Sequence, residues 1–389
     1  MTQRRFDLDW LRITAFALLI LYHCGMFYVT WDWHVKSSRT SEAIEPLMML
    51  TNPWRLSLLF LISGAATRFM ADRMATPAFL GNRMGRLFPP LLLGMFLIVP
   101  PQSYYEIVEA LQVMGQPQSP MLDNFYVKYA TASGGWCDAD GCLTTPTYNH
   151  LWFVAYLILY TLALAALMPL LRRLPLKRLS WLITGPGLFL TPWFFLAVTR
   201  MTLFPLFGET HDFREDWYLH TIYFAIFLFG FGVAKHEPFF EAAVRLRWAA
   251  LGITVASWIA LITYFQLAPE TPPEWLRQTF RAVREAEAWG AILAAIGFFH
   301  RHFAEADGPI RRTLSEAIFP LYMIHQTIIV VAGFYLDDLQ LPLIVEAPLL
   351  ITVTALGCWL FYELGRRAGP FRVWFGLSAP SRAPVLQPA

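Results

Sequence analysis

Arg12 and His23 are the two residues of this chain whose types and spacing point most directly to chemistry. They lie eleven residues apart in the first long apolar stretch. On an α-helix this spacing rises about 16 Å and completes just over three turns, so both side chains share one face. An ionisable residue inside a membrane helix is costly unless it faces protein or water, and is therefore a candidate functional group. The pair predicts a path that begins at an arginine and ends at a proton-transfer group.

The composition is that of an integral membrane protein. Of 389 residues, 56% are hydrophobic and 15% are charged, against about 25% charged in soluble domains. The net charge of +2 excludes a broad basic surface for nucleic acid. The four cysteines are too few for a disulfide scaffold, and no Cys/His spacing resembles a zinc site. We therefore expect no metal and no nucleic-acid partner.

The apolar segments predict an all-α polytopic membrane protein with about ten transmembrane helices. Lysine and arginine are concentrated in the loops that are cytoplasmic if the N-terminus is inside, so both termini are expected there. We expect one transmembrane domain over 1–375, with an outer loop at 102–149, and a flexible tail over 376–389. The predicted spans are 10–29, 55–70, 87–102, 151–171, 180–199, 217–234, 247–266, 287–303, 314–334 and 343–364.

Polar residues in two other spans are expected at the depth of His23. Ser63 lies about nine residues from the outer end of the second span, and His325 about twelve residues into the ninth. Tyr322 precedes His325 by almost one helical turn. A membrane histidine also serves as an interhelical hydrogen-bonding group, and this alternative stays open for both histidines.

Arginines cluster between the second and third spans, at positions 68, 73, 83 and 86. Arginine binds phosphate bidentately, and Arg83 and Arg86 project together if their segment is helical. These residues predict a phosphate-bearing ligand. Ordinary anchoring at the cytoplasmic surface is the alternative.

The outer loop combines aromatic and acidic residues, among them Asp138 and Asp140. This composition suits sugar binding, and a lid of interfacial aromatic side chains is the alternative. Cys137 and Cys142 flank a turn sequence, and an oxidising compartment permits a small disulfide loop between them.

Taken in order, several short motifs resemble those of membrane acyltransferase family 3. They are Asp9 and Arg12 followed by His23, the run Phe60–Gly64, and Arg83-x-x-Arg86 before Leu87-Phe88-Pro89. The resemblance implies transfer of an acyl group from cytoplasmic acyl-coenzyme A to a sugar hydroxyl across the membrane. Such an enzyme lies in the bacterial inner membrane, among its lipids.

Within that family the chain is most similar to members that succinylate osmoregulated periplasmic glucans. The similar features are Trp33-His34-Val35, Arg55, His150-Leu151-Trp152-Phe153, Leu321-Tyr322 with His325, and Tyr362-Glu363. Two departures are Gln326, where the group can carry a second histidine, and the small pair Ala65-Ala66 after Gly64. Succinyl-coenzyme A is therefore the favoured donor, with acetyl-coenzyme A as the alternative.

The predicted depths of these residues suggest a role for each. The catalytic set is His23, Ser63, Tyr322 and His325. The coenzyme is held by Asp9, Arg12, Arg83 and Arg86. Arg55 is the best placed partner for a succinyl carboxylate, with snorkelling at the interface as the alternative. The residues expected to face the acceptor are His34, His150 and Trp152, and for the last two an anchor in the aromatic belt is the alternative.

Three other functions fit parts of the pattern. One is an O-acetyltransferase of another surface polysaccharide or exopolysaccharide. A secondary transporter also carries buried ionisable groups, although it usually has inverted repeats. A glycosyltransferase that uses a lipid-linked sugar requires an acidic residue in an outer loop, such as Asp32 or Glu45.

Overall fold

The computed structural model describes residues 5–116, 119–137, 142–171 and 185–379. Within these ranges the regular secondary structure is helical, apart from an isolated bridge between Cys137 and Cys142. The prediction of an all-α protein is confirmed. Asp138, Asp140 and the last ten residues of the predicted tail lie outside the described ranges.

Fourteen α-helices are described, of which ten follow the predicted spans. They are α1 (Phe6–Met26), α2 (Glu45–Met49), α3 (Arg55–Ala71), α4 (Thr76–Leu93), α5 (Pro100–Val113), α6 (Phe125–Ala130), α7 (Trp152–Leu171), α8 (Gly187–Thr202), α9 (Phe204–Phe207), α10 (Trp217–Val233), α11 (Glu237–Leu267), α12 (Glu274–Phe303), α13 (Pro309–Asp338) and α14 (Leu343–Arg367). The first residues of the predicted span 180–199 lie outside the described ranges.

Seven helical segments among the described residues are long and apolar enough to cross a membrane. Many large apolar side chains on them are exposed, as expected of helices that face lipid. Three helices that follow predicted spans are not among these seven. Of these, α3 and α10 have only 17 residues each, and α12 is more polar. The number of ten spans and the cytoplasmic placement of both termini remain predictions. The segments are Phe6–Met26, Thr76–Val113, Asn149–Leu171, Gly187–Phe207, Glu237–Leu267, Pro309–Asp338 and Leu343–Arg367.

The segment Thr76–Val113 is one helical run that changes geometry midway. α4 contains Pro89 and Pro90, and a π-helical turn, Gly94–Ile98, follows it. Proline removes a backbone donor and crowds the preceding turn, so a local change in winding is expected here. α5 then continues to Val113, beyond residue 102 where we expected the outer loop to begin.

The chain divides into two compact units, each assembled from separated stretches. The first unit comprises Met1–Tyr22, Glu42–Leu80 and Leu159–Ser315. The second comprises His23–Ser41, Gly81–Ile158 and Glu316–Ala389.

In the first unit α11 packs along α12, and α3 packs against α10. Glycines permit the close approach of α3 and α10. A Cβ on Gly64 would overlap the carbonyl oxygen of Phe227, and one on Gly230 would overlap that of Leu61. Contacts through small residues are a common way to pack membrane helices.

In the second unit the main part of α13 lies among α5, α14 and the irregular segment 27–41. Gly333 of α13 abuts the ring of Phe27, and Gly357 of α14 abuts Ile328. The hydroxyl groups of Tyr105 and Tyr335 lie 2.7 Å apart. α13 is thus the element against which the other parts of this unit are organised.

Candidate active site

His23 and His325 form a hydrogen-bonded pair in the second unit. α1 carries the first and α13 the second. Nδ1 of His23 lies 2.7 Å from Nε2 of His325, and the two rings are nearly parallel, with 7° between their planes. His325 is fully buried and His23 is half-buried. His23 is therefore the more accessible member of the pair.

Hydrogen bonding determines which ring nitrogens carry a proton. Nδ1 of His325 lies 2.6 Å from the carbonyl oxygen of Tyr322. A carbonyl only accepts, so this nitrogen donates, and Nε2 of the neutral ring is an acceptor. The proton between the rings then belongs to Nδ1 of His23. Nε2 of His23 is left as the basic nitrogen of the pair, which is the arrangement of a general base oriented by a partner.

His150 and Tyr322 enclose His325. The ring of His150 meets that of His325 edge to face, with centroids 5.2 Å apart. Nε2 of His150 donates to the carbonyl of Met323 at 2.9 Å, and the Tyr322 hydroxyl donates to the carbonyl of His150 at 2.5 Å. Both side chains are buried and held in place by these bonds. The catalytic role of Tyr322 stays a prediction.

A second polar layer lies one residue along the chain from these histidines. Gln326 follows His325, and Asn149 precedes His150. Gln326 is buried, and its side-chain nitrogen faces three acceptors. They are Oε1 of Gln102 at 3.2 Å, Oδ1 of Asn149 at 3.1 Å and Nε2 of His34 at 2.8 Å.

Two further contacts extend this layer. Nδ1 of His34 donates to Oε2 of Glu106 at 2.8 Å. The side-chain nitrogen of Gln102 contacts Nδ1 of His150 at 3.3 Å and donates to the hydroxyl of Thr327 at 2.6 Å. The layer thus joins the predicted residues His34 and His150 through amide side chains that we did not predict. The only sequence signal for them was their position beside a histidine or within an apolar stretch.

Arg12 lies in the first unit and lines a cavity of about 330 Å³. The cavity has a cationic part and an apolar part. Its lining comprises Arg5, Leu8, Asp9, Arg12, Ile62, Ala66, Phe69 and Arg73. Arg5 and Arg73 were not among the predicted site residues.

Asp9 has a buried cationic partner within the first unit. Its carboxylate accepts a hydrogen bond from Nη1 of Arg311, and Arg311 also binds Asp307 at 2.7 Å. The guanidinium of Arg12 lies 4.0 Å from Asp9 and donates to the carbonyl of Ser315 at 3.2 Å. Asp9 therefore lies between two arginines, of which Arg12 lines the cavity and Arg311 is buried.

Arg83 and Arg86 lie on α4, so their segment is helical as their joint projection requires. Both belong to the second unit and neither lines the cavity around Arg12. Nε and Nη2 of Arg83 are buried without a partner among the described residues. Arg86 is exposed and donates to the Ser378 hydroxyl at 3.3 Å.

Arg55 begins α3 in the first unit and is buried. Its guanidinium lies 3.3 Å from the centroid of the Tyr22 ring. Nε and Nη1 have no hydrogen-bond partner among the residues that the structure describes. An orphaned buried guanidinium is costly, so this position is suited to an anionic ligand.

Two other arginines of the first unit are paired with carboxylates. Arg200 binds Glu209 at 2.9 Å, and Arg284 binds Glu285 at 3.1 Å and approaches Glu209 at 3.8 Å. Burial alone would raise the pKa of Glu209, but the two guanidinium groups outweigh it and hold this pKa at about 2. Arg55 differs from both in having no such ion pair among the described residues.

Ser63 lies in the first unit, where its carbonyl accepts a hydrogen bond from Thr67 at 2.7 Å. The close packing at Gly64 gives this motif a structural role beside its predicted catalytic one. Trp152 begins α7 and is half-buried, with its ring 5.0 Å from that of Tyr156. The catalytic role of Ser63 and the acceptor role of Trp152 stay predictions.

Cys137 and Cys142 form a disulfide, the small loop that an oxidising compartment would permit. The bridge lies beside an aromatic cluster that contains Tyr129 and Trp136, both buried. Among the described residues, no group of three or more His, Cys, Asp or Glu side chains is arranged to hold a metal.

Residues 5–363 match the sequence model of a protein family described as an acyltransferase domain. The chain belongs to membrane acyltransferase family 3. It is similar to "Glucans biosynthesis protein C" of Escherichia coli O139:H28 (strain E24377A / ETEC), with 21% identity over 354 residues. The protein of the same name from Escherichia coli (strain K12) is 21% identical over 350 residues. Each alignment covers 86% of this chain and 84% of the relative. No solved structure matches the chain significantly.

The family and the seven apolar helices together identify a multi-pass membrane protein with an acyltransferase domain. His23 lies inside the matched region, and so do all the other predicted site residues. The paired histidines are thus the part of an acyltransferase domain best suited to move a proton.

Proposed function

We propose that this protein is a transmembrane O-acyltransferase of the bacterial inner membrane. It moves an acyl group, with succinyl favoured, from cytoplasmic acyl-coenzyme A to hydroxyl groups of a periplasmic glucan. The observation that carries the proposal is the hydrogen-bonded pair of His23 and His325 in a chain of an acyltransferase family.

In the proposed reaction Nε2 of His23 accepts the proton of an acceptor hydroxyl. The oxygen attacks the thioester carbonyl, a carbon–oxygen bond forms and the carbon–sulfur bond breaks. The protonated His23 then returns the proton to the departing coenzyme thiolate. General base catalysis of this kind contributes about a hundredfold to ten-thousandfold in rate. His325 orients His23 through the bond between their rings.

A covalent route is the second form of the mechanism. The acyl group would pass first to His23 or Ser63 and then to the acceptor. Mass measurement of protein quenched after mixing with acyl-coenzyme A and no acceptor separates the routes, because only the covalent one adds the mass of the acyl group.

The donor is proposed to bind through arginines. The cavity beside Arg12 offers guanidinium groups to phosphates and apolar side chains to the pantetheine arm. α1 also carries His23, about 16 Å further along the helix. The unpartnered nitrogens of Arg83 support a further phosphate contact, with Arg86 one turn away. Asp9 lines the same cavity and holds Arg12 in this proposal.

A succinyl group carries a second carboxylate that an acetyl group lacks. We assign this carboxylate to Arg55, since its two orphaned nitrogens support an anionic partner. O-acetyl transfer is the alternative function, and it has no use for such a cation. On the acceptor side, the proposal is that the glucan contacts His34, His150 and Trp152.

The test uses membranes that contain the protein, a purified periplasmic glucan, and succinyl- or acetyl-coenzyme A labelled in the acyl group. Wild type is expected to move label onto the glucan, with a mass increase that identifies the acyl unit. His23→Ala at equal abundance should abolish transfer, whereas His302→Ala, which changes an exposed histidine, should not. Glucan that stays unlabelled with both donors would overturn the proposal.

A further inference from the structure

Glu106 and His34 form a carboxylate–imidazole pair that the proposed transfer step does not use. Oε2 of Glu106 accepts from Nδ1 of His34 at 2.8 Å. The side chain of Glu106 is 35% exposed and that of His34 is 21% exposed. Nε2 of His34 faces the side-chain nitrogen of Gln326 at 2.8 Å, so the imidazole is held from both sides. The pair is therefore oriented by a buried residue and open to solvent at its other end.

Several polar atoms of this layer remain available to a ligand. Oε1 of Glu106, Oε1 of Gln326 and Nδ2 of Asn149 have no hydrogen-bond partner among the described residues. A carboxylate oxygen and an amide oxygen accept, whereas an amide nitrogen donates. A sugar hydroxyl both donates and accepts, so neighbouring hydroxyl groups can satisfy all three atoms.

The layer is not needed to hold segment 27–41 in place, because other bonds do this. Nζ of Lys36 donates to the carbonyls of Met26 and Trp31 at 2.6 and 2.9 Å. The backbone amide of Ser38 donates to Asp337 at 2.8 Å. The exposed end of the layer is hydrated in the free protein, so a bound hydroxyl group can take the place of water there.

The layer also runs beside the histidine pair. Asn149 and Gln326 belong to the layer, and the rings of their chain neighbours His150 and His325 contact each other beside His23. A ring bound at the layer therefore places its other hydroxyls next to that group. Trp33 adds an aromatic face, with its ring 5.5 Å from that of His34.

We infer that Glu106, His34 and Gln326 form a subsite that binds the hydroxyl groups of a polyhydroxylated acceptor adjacent to the acylation position. The inference rests on the proposed function for the identity of the acceptor. Glu106 binds the acceptor directly, and Gln326 positions His34.

The test compares Glu106→Gln with Glu109→Gln in the full chain. Glu109 lies one turn further along α5, where it accepts from the backbone amide of Lys36 at 2.9 Å. Binding of a β-linked glucose hexasaccharide is measured by equilibrium dialysis with purified protein, and the acceptor and donor dependence of transfer is measured separately. Thermal unfolding in detergent controls for folding, and Glu106→Asp supplies a second variant that keeps the charge.

Glu106→Gln is expected to weaken hexasaccharide binding and to raise the half-saturating acceptor concentration roughly tenfold, as loss of a charged hydrogen bond predicts. The half-saturating donor concentration and the turnover at saturating acceptor should stay within about twofold, and Glu109→Gln should behave as wild type. Glu106→Asp should lie between. Unchanged binding in Glu106→Gln, or no binding by wild type, overturns the inference. Weakened binding in a protein that transfers no label supports the subsite and refutes the proposed reaction instead.

Discussion

The proposed roles of His23 and His325 predict a marked asymmetry between their substitutions. Removal of the general base in His23→Ala should lower turnover by about a hundredfold to ten-thousandfold. His325 acts only through one hydrogen bond, at 2.7 Å, between two neutral rings. Such a bond contributes about 0.5–1.5 kcal/mol, which corresponds to a loss of about twofold to twelvefold in His325→Ala, since about 1.4 kcal/mol is tenfold.

The double variant gives the sharper result. If His325 acts through His23, it has nothing left to orient once His23 is gone, so the double variant should equal His23→Ala within about threefold. The assay follows coenzyme release and labelled glycan at saturating donor and acceptor. Losses that multiply would refute the orienting role, and so would a His325→Ala loss as large as that of His23→Ala.

Four further predictions test other parts of the structure. Gly64→Ala should destabilise the protein in detergent by about 1–3 kcal/mol, because the new methyl group overlaps a backbone carbonyl; Gly232→Ala, which meets nothing within 4 Å, should leave the unfolding temperature unchanged. Arg55→Ala should reduce succinyl transfer about tenfold and acetyl transfer by less than about twofold, and equal losses would remove its carboxylate role. Arg12→Gln should raise the half-saturating acyl-coenzyme A concentration about tenfold without a matching change for the acceptor. Because the pKa of Glu209 is lowered from 4.5 to about 2, its ionised form stabilises the protein at neutral pH; the unfolding temperature of wild type should exceed that of Glu209→Gln above pH 4.5, and the difference should shrink as pH falls towards 2.

The helices were largely predictable because apolar length is a strong signal, but their ends were not. We expected an outer loop from residue 102, yet α5 reaches Val113. Glutamate, glutamine and tyrosine are compatible with a helix outside the apolar core, so hydropathy could not show where the helix stops. For the same reason α12 begins at Glu274, well before residue 287 where the eighth span was expected to start.

The depth of the candidate site residues along their helices was predictable, but the contacts between their side chains were not. The rise per residue of an α-helix placed His23 and His325 at the same membrane depth, but only the packing of the helices brings their rings within hydrogen-bonding distance. Gln102 and Asn149 were missed because amide side chains have no characteristic spacing, and Gln326 was noted only as a departure from the family pattern. Asp9 was expected beside the coenzyme. Its hydrogen bond to the buried Arg311 could not be predicted from a local pattern, because the two residues are 302 positions apart in the sequence.

The choice of a second imidazole as the partner of His23 follows from where the pair lies. A carboxylate would be the stronger partner for a protonated imidazole, but His325 is fully buried on a membrane-type helix, where an ionised group is costly. A neutral imidazole accepts the same hydrogen bond without bringing a charge into the interior. The partner then adds no negative charge to stabilise the cation that forms on His23, so that cation is favoured to pass its proton quickly to the departing thiolate. The carboxylate of Glu106 is instead at the half-exposed end of the adjacent layer, where water can solvate it. The fixed negative charge is thus kept at the half-exposed end of the layer, and the imidazole pair carries a charge only while His23 holds the proton.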